Sequence, residues 1–328
     1  MASVPPCADT VGVEEEFLLV DTASGRTSVR ADAVLALVQD TDLTKFHAEL
    51  AATQVEAATG PCTSVSELGQ ALHQARTTLA KAAEEVGVGL ISRGTPVKPS
   101  RQQIVDHSNP RFRRVLDTYA GVVEHYEACG CHVHVGVPDR ETGVRVLNHL
   151  RPWLPTLLAL SANSPDHGYA SWRMVEQSRF PGSGVPPVCT SAADYDAHVA
   201  RMVACGTLVD RAQSFWLARL SPKLPTVEFR VADAAATVED AVLLAALSRA
   251  LVHTAFLDGE PRPVRDDVCA AAVWTASRYG LDGAAVDPWR ACRVPASAML
   301  ERLLAHVTPA LAERDELDLV HDLVEQRV

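Results

Sequence analysis

The sequence predicts an α+β fold built on a mainly antiparallel sheet, with helices packed on one face and an open polar bowl on the other. Three observations predict it. First, four strand-like stretches each place polar residues at alternate positions among apolar ones: Glu14 and Glu16 in Val11 to Val20, Gln54 and Glu56 in Thr53 to Glu56, His132 and His134 in Cys131 to Val135, and Glu228 and Arg230 in Val227 to Val231. Side chains along a strand alternate faces, so each pair projects from one side while its neighbours take the other. Second, strands and helices occur in roughly equal number, with hairpin-like neighbours and no regular βαβ alternation. Third, a sheet with one greasy and one polar face is covered by helices on the first and left open to ligands on the second.

The elements follow in order. After the first strand, Asp21 to Gly25 reads as a turn, Arg26 to Val29 as a return strand and Ala31 to Val38 as a short apolar helix. A strand through Glu49 to Ala57 ends at Gly60-Pro61. Ser64 or Ser66 then caps an amphipathic helix whose buried side carries Leu68, Leu72, Leu79 and Val86. Val88 to Ser92 is a strand, and the proline-punctuated stretch from Gly94 to Pro110 is a loop beside the ligand. A helix from Arg111 to about Glu127 leads into the histidine strand. Asp139 caps the next helix, which Pro152 and Pro155 kink before it resumes at Thr156.

From Ser164 to Thr190 no periodicity is visible, and so long a loop suits a lid. Ser191 to Asp194 opens a helix that Gly206 closes, and strands follow near Phe215 to Leu220 and Thr226 to Val231. Thr237 to Asp240 starts an Ala- and Leu-rich helix running to about Phe256, and the remainder reads as helical. No linker appears, so one domain over residues 1–328 is expected.

A net charge of −11 without a Lys/Arg cluster argues against nucleic acid or an anionic membrane as partner, and points to small molecules. A homodimer is one assembly the sequence leaves open, without fixing the oligomeric state. The eight cysteines are scattered without CxxC spacing and read as reduced thiols. The N-terminus lacks a basic then apolar leader, and no apolar run reaches membrane-spanning length, so the expected compartment is the cytoplasm.

Glu14, Glu16, Glu56 and Glu228 are hard oxygen donors that suit Mg²⁺ or Mn²⁺ better than zinc. Four carboxylates exceed what one Mg²⁺ takes from protein, which implies two or more ions and a polyphosphate such as ATP. Arg230, on the same face as Glu228, would meet a phosphate oxygen. No GxxxxGK[ST] loop is present to do so with backbone amides. His132 and His134 read as metal or phosphate ligands, although an HxH strand also occurs in zinc hydrolases. Arg173 and Arg179, in the long loop, can clamp a carboxylate or equally be solvated loop arginines. Trp153, Trp172 and Trp216 read as packing residues.

Val11 to Phe17 (VGVEEEF), Cys129 to Val137 (CGCHVHVGV), Arg151 to Pro165 (RPWLPTLLALSANSP) and Thr226 to Asp233 (TVEFRVAD) together resemble the glutamate-cysteine ligase type 2 family of carboxylate-amine ligases. The resemblance covers nearly the whole chain. It implies a glutamine synthetase-like fold with an antiparallel sheet forming a funnel for ATP and divalent metal. Residue by residue it implies Glu14, Glu16, Glu56, His132 and Glu228 as metal ligands and Arg230 as a phosphate contact. His134 joins Arg230 as a catalytic candidate, Arg179 as a second nucleotide contact, and Arg173, Gln54 and Thr95 as substrate contacts. The implied reaction activates a carboxylate, the γ-carboxylate of glutamate in the type member, as an acyl phosphate that cysteine or another amine attacks.

The chain departs from the family pattern where it reads Gly94-Thr95-Pro96 rather than Gly-Thr-His-Pro, and at Trp216 to Arg219, where an Asp-containing segment is usual. The loop at Asp166 to Tyr169 is also shortened. These positions fall where an acceptor amine or substrate carboxylate would be recognised. Two alternatives therefore stand beside the ligase: a metal-dependent hydrolase using the HxH strand, and a nucleotide- or amino-acid-binding homologue without turnover.

Overall fold

In the computed structural model, which describes residues 10–102, 104–105 and 109–327, the first strand is the hub of the sheet. The chain runs β1 (Val11–Asp21), α1 (Ala31–Leu35), β2 (Thr44–Ala48), β3 (Gln54–Thr59), α2 (Val65–Glu85), β4 (Val88–Ile91), α3 (Pro110–Tyr119), β5 (Gly130–Gly136) and α4 (Arg140–Leu150). It continues as α5 (Leu154–Ser161), α6 (Trp172–Gln177), α7 (Ala192–Ala204), β6 (Ala218–Leu220) and β7 (Thr226–Asp233). The last part is α8 (Val238–Leu257), α9 (Asp266–Tyr279), β8 (Ala284–Asp287), β9 (Cys292–Pro295), α10 (Ala296–Ala312) and α11 (Leu317–Glu325).

The main sheet has the order β2-β3-β1-β5-β7-β6, with β4 pairing the far end of β1. Every ladder in it is antiparallel. Val11, Val13, Val133, Val135, Val227, Phe229 and Val231 fill the face away from the bowl and are buried in the main core. That face is covered chiefly by α8, which packs on β1 and β5, and by α2, which packs on β1 and β3.

α8 is apolar all round because it is enclosed all round: every residue from Ala241 to Ala255 is buried. Thr237 and Asp240 close its N-terminus with a reciprocal capping box. Contrary to the sequence expectation, this helix does have the length and hydropathy of a membrane span. Burial under the sheet accounts for that composition, and it is the one such helix among the described residues.

Several boundaries differ from expectation, each for a local reason. The strand expected from Glu49 begins at Gln54, and an unanticipated edge strand, β2, precedes it. β2 exposes Lys45 and His47, so its pattern looks like loop. The return strand at Arg26 to Val29 shrinks to a single bridge between Val20 and Thr27. α3 stops at Tyr119, not Glu127, because Ala120 turns to φ 46° before Gly121. Pro152 separates α4 from α5, and Pro155 sits in the first turn of α5, so two helices stand where one kinked helix was expected. The stretch from Ser164 to Thr190 contains α6, capped by Ser171 and too short to show a period.

The C-terminal part, expected to be all helical, includes the hairpin β8 and β9. Its turn is held by the fully buried Asp287, which accepts from the backbone N–H of Trp289 and Arg290 and from Arg302. The expectations about the first six residues lie outside the described residues. The described cysteines, Cys62 to Cys292, are free thiols, as expected.

One ion pair ties the layers behind the sheet. Arg76 on α2 meets Glu15 on β1 in a two-bonded contact of 2.6 and 3.0 Å. The same guanidinium donates to the carbonyls of Ala235, Ala236 and Thr237 at the entrance to α8. Removing one partner of a buried pair strands the other charge. Arg76→Ala is therefore expected to destabilise the protein by about 3 kcal/mol in urea unfolding, with much less lost when Glu15 and Arg76 are both replaced by Met.

Candidate active site

Register on the bowl side of the sheet aligns the predicted pairs. Glu14 lies opposite His132, Glu16 opposite Glu56, and His134 opposite Glu228. A β-bulge adds to this: between the Cys131–Ala232 and Val133–Phe229 pairs, β5 contributes only His132 while β7 contributes Arg230 and Val231. The extra residue re-aims local side chains, and it brings Arg230 Nη1 within 3.3 Å of His132 Nδ1.

Two donor clusters result. In one, an oxygen from each of Glu16, Glu49 and Glu56 lies within 4.8 Å of the others. In the other, Glu14, His134 and Glu228 converge equally closely. His132 stands between them, its Nδ1 3.6 Å from Glu14 and 3.8 Å from Glu16. His134 Nε2 is 3.3 Å from Glu14, while its Nδ1 is fixed 2.8 Å from the Thr226 hydroxyl.

The electrostatics divide the carboxylates into two kinds. Burial pushes up the carboxyls of Glu16, Glu49 and Glu56; the charge of Glu49 adds to it for Glu56 and for Glu16, which is raised to about 8, and the charge of Glu14 adds to it for Glu49. Burial also opposes ionisation of Glu228 and Glu14. For Glu228 the charges of Arg230 and Arg219 win and hold it well below the usual carboxylate range. For Glu14 hydrogen bonds with His132 and His134 do the same. Burial, then the neighbouring Arg230 charge, lowers His132 to about 3, so its ring is neutral and its Nδ1 faces the Arg230 guanidinium as acceptor.

Three guanidinium groups face this ground. Arg230 bonds Glu228 at 2.5 Å, and Arg219 on β6 bonds both oxygens of Glu228 at 2.7 and 3.0 Å. Arg173 is 1% exposed and donates to the Arg230 carbonyl at 3.3 Å. A strut fixes it: the fully buried Asp233 accepts from the hydroxyls of Ser164 and Ser171, and Ser164 Oγ in turn accepts from the Arg173 N–H. A cavity of about 220 Å³ opens here, lined by Glu16, Glu49, His132, Arg173, Arg219 and Arg230 and by Phe112, Phe180 and Phe215.

The structure thus gathers Glu14, Glu16, Glu56, His132, His134, Glu228, Arg230 and Arg173, the last from a helix rather than a loop. Gln54 lines the cavity, but its amide is spent on the Ala128 carbonyl and Cys129 Sγ. Arg179 is paired with Glu176 and does not line the cavity. Thr95 is buried outside that lining. Trp153 and Trp216 are buried in the core, as expected of packing residues.

Residues that sequence reasoning missed complete the site. Glu49 sits in irregular chain after β2, where no period could flag it. Arg219 follows the same apolar-polar-apolar alternation as the four strands, in Ala218-Arg219-Leu220, and could have been found that way. Gly130 donates its N–H to Glu16 at 2.6 Å, and a Cβ there would fall 2.4 Å from Arg173 Nη2. Only glycine allows so close an approach.

The donor set is carboxylate oxygen with imidazole, and it suits a hard divalent cation. The raised Glu16, Glu49 and Glu56 fit the same conclusion, because burial outweighs the lowering effect of the nearby Arg230 charge on Glu16 and Glu49, and a bound cation would offset it.

Residues 10–328 match the model of a family described as glutamate-cysteine ligase family 2. A Saccharopolyspora erythraea protein, whose name marks it as a candidate glutamate–cysteine ligase 2-2, is 54% identical over 326 residues, 95% of this chain and 83% of its own. A Nocardia farcinica protein, named as a candidate glutamate–cysteine ligase 2-1, is 43% identical over 325 residues, 96% of this chain and 84% of its own. Among solved structures, glutamate–cysteine ligase from Francisella tularensis, in complex with AMP, has a TM-score of 0.69 at 14% identity, covering 97% of this chain and 81% of that one. A bifunctional glutathione synthetase from Pasteurella multocida has a TM-score of 0.71 at 15% identity, covering 97% of this chain and 47% of that one. At such identity these structures speak for the fold, which is the α+β architecture with a mainly antiparallel sheet. With the family model spanning almost the entire length, the chain belongs to glutamate-cysteine ligase family 2.

Proposed function

We propose that the protein is an ATP-dependent, Mg²⁺- or Mn²⁺-requiring carboxylate-amine ligase that makes an amide bond through an acyl phosphate. Glutamate is the proposed donor, through its γ-carboxylate, and cysteine or another amino acid or amine the acceptor. The observation that carries this reading is the pair of donor clusters set beside Arg230 and Arg173 on one sheet face. Family membership supports it.

In this reading Glu14, Glu16, Glu56, His132 and Glu228, joined by Glu49, hold divalent metal. Bound there, metal would offset the charge of a polyphosphate and make its terminal phosphorus a better electrophile. Arg230 is already oriented by Glu228, and it presents its guanidinium to the transferring phosphoryl group as a preorganised donor. Arg173 meets the donor carboxylate. An oxygen of that carboxylate attacks the γ-phosphorus and ADP leaves; the amine nitrogen then attacks the acyl carbon, phosphate departs with the transferred oxygen, and the amine gives up a proton. His134, oriented by Thr226, is the proposed acceptor for that proton.

No protein nucleophile is invoked. The thiols of Cys129 and Cys131, which flank the site, are pushed well up by burial and so are poor nucleophiles. Arg179 and Thr95 carry no role here, since neither lines the cavity. The hydrolase alternative gains no support, because the neighbours of the histidine pair are glutamates and no further histidine joins either cluster among the described residues.

Incubation with ATP, Mg²⁺, glutamate and a panel of amines is expected to yield ADP in an amine-dependent manner. ¹⁸O in the donor carboxylate should appear in inorganic phosphate; AMP with pyrophosphate, or unlabelled phosphate beside a ligated product, would rule out the acyl phosphate. Glu228→Gln frees two arginines from their anchor, and turnover should fall on the order of 100-fold, about 2.7 kcal/mol, with the circular dichroism of the wild type retained.

A pH dependence follows from Glu16. Its carboxyl is raised from an ordinary 4.5 to about 8, so between those values the folded state binds more protons than the unfolded chain, and metal-free stability falls as pH rises. Metal needs the deprotonated form. The thermal midpoint in EDTA should accordingly be lower at pH 8 than at pH 5.5 on account of this cluster, and Mg²⁺ should raise it more at pH 8. An equal Mg²⁺ effect at both pH values would remove Glu16, Glu49 and Glu56 from metal binding.

A further inference from the structure

Away from the bowl, three side chains of different chemistry converge at the start of α7. Cys189 precedes the N-cap Ser191 by two residues, and Asp194 and His198 are four residues apart on the helix, a spacing that stacks them on one face. A ligand atom from each, the Cys189 sulfur, an Asp194 oxygen and a His198 nitrogen, lies within 4.8 Å of the other two. Asp194 Oδ1 and His198 Nε2 are 3.7 Å apart. Neighbouring ligands of a tetrahedral zinc ion, bound at about 2.0–2.3 Å, stand roughly 3.3–3.8 Å from one another. The pair thus has the separation of a zinc edge.

We propose that Cys189, Asp194 and His198 form a second metal site, selective for a zinc-type cation and distinct from the hard-cation clusters of the bowl. Thiolate with imidazole is the softer donor set, which divides the two kinds of ion by chemistry.

The surroundings are those of a site with supported ligands. Asn148 on α4 brackets the Cys189 backbone, its amide donating to the Cys189 carbonyl at 2.7 Å and its carbonyl oxygen accepting from the Cys189 N–H at 3.2 Å. Thr190 holds the other oxygen of Asp194 through its N–H and its hydroxyl, at 3.0 and 3.2 Å, which leaves Oδ1 turned toward His198. Contacts of this kind orient metal ligands. Cys189 is 3% exposed, whereas the Asp194 and His198 side chains are about a third exposed, so a fourth position is open to water. Binding replaces the thiol S–H bond by a sulfur–metal bond and releases one proton to solvent.

The site is coupled to the bowl by a short path. Tyr195, next to Asp194, accepts from the Leu220 N–H through its hydroxyl, and Leu220 follows Arg219, which clamps Glu228. A cation fixing the first turn of α7 would stiffen the edge strand that carries Arg219.

With Mg²⁺ present in excess to fill the bowl, titration of the full chain with Co²⁺ is expected to give a sulfur-to-cobalt charge-transfer band that saturates at one equivalent and is abolished by Zn²⁺. Cys189→Ser and His198→Gln should each remove the band, while Cys205→Ser and Cys292→Ser, at exposed thiols, should keep it. His198 is on the surface, so His198→Gln remains informative if Cys189→Ser folds poorly. Absence of the band in the wild type, or its survival in Cys189→Ser or His198→Gln, would overturn the proposal.

Discussion

Negative charge that cannot be dispersed is the constraint on which this structure turns. β1 and β3 carry Glu14, Glu16 and Glu56 onto one face, and Glu49 and Glu228 join them there. Water screens such repulsion at a surface, but here Glu16 and Glu228 are buried and Glu14, Glu49 and Glu56 are only partly open to solvent. Two solutions coexist. Glu228 is neutralised from within by Arg219 and Arg230, whereas Glu16, Glu49 and Glu56 have no such paired arginines and their carboxyls are pushed up by burial. The first arrangement organises two arginines.

The back of the sheet obeys the same rule with a different outcome. Glu15 is the one carboxylate of its run that points away from the bowl, and Arg76 answers it while also collecting the carbonyls ahead of α8. Strand alternation therefore sends successive charges of β1 to opposite fates: Glu14 and Glu16 serve the ligand side, and Glu15 locks the helical layer. Asp233 performs the corresponding service at the end of β7, where its serine contacts hold α6, and with it Arg173, against the strand that bears Arg230.

The strands that carry the chemistry were legible because a period of two survives in short segments when one face is wholly apolar. Val133, Val135, Val227 and Phe229 make that face unmistakable, and the polar partners follow by alternation. What escaped notice lacked such a frame. β2 exposes most of its side chains, α6 is too short to show a period, and Glu49 is placed by irregular chain. The bulge opposite His132 was invisible for another reason, since an extra residue on β7 leaves the alternation of Glu228 and Arg230 intact and alters only where they aim. Long helices were read well, α2 from its Ser64 cap and α8 from Thr237, because caps and uninterrupted apolar runs are local signals. Arg173 was noticed as a residue but not for its burial, which depends on contacts with Asp233, Ser164 and Arg230 that are distant in sequence.

The central place of β1 in the sheet has a consequence for how the chain is made. It is made ahead of its neighbours, β5 arriving only at Gly130–Gly136 and α8, which seals the greasy side, only at Val238–Leu257. Until then a row of valines and phenylalanine has no permanent cover. Pairings between segments so far apart close large loops and form slowly, and nascent sheets of this kind are open to association with other chains. Synthesis must pass α8 before β1 can settle, so a truncation within α8 would leave β1 through β7 exposed to aggregation or to capture by chaperones.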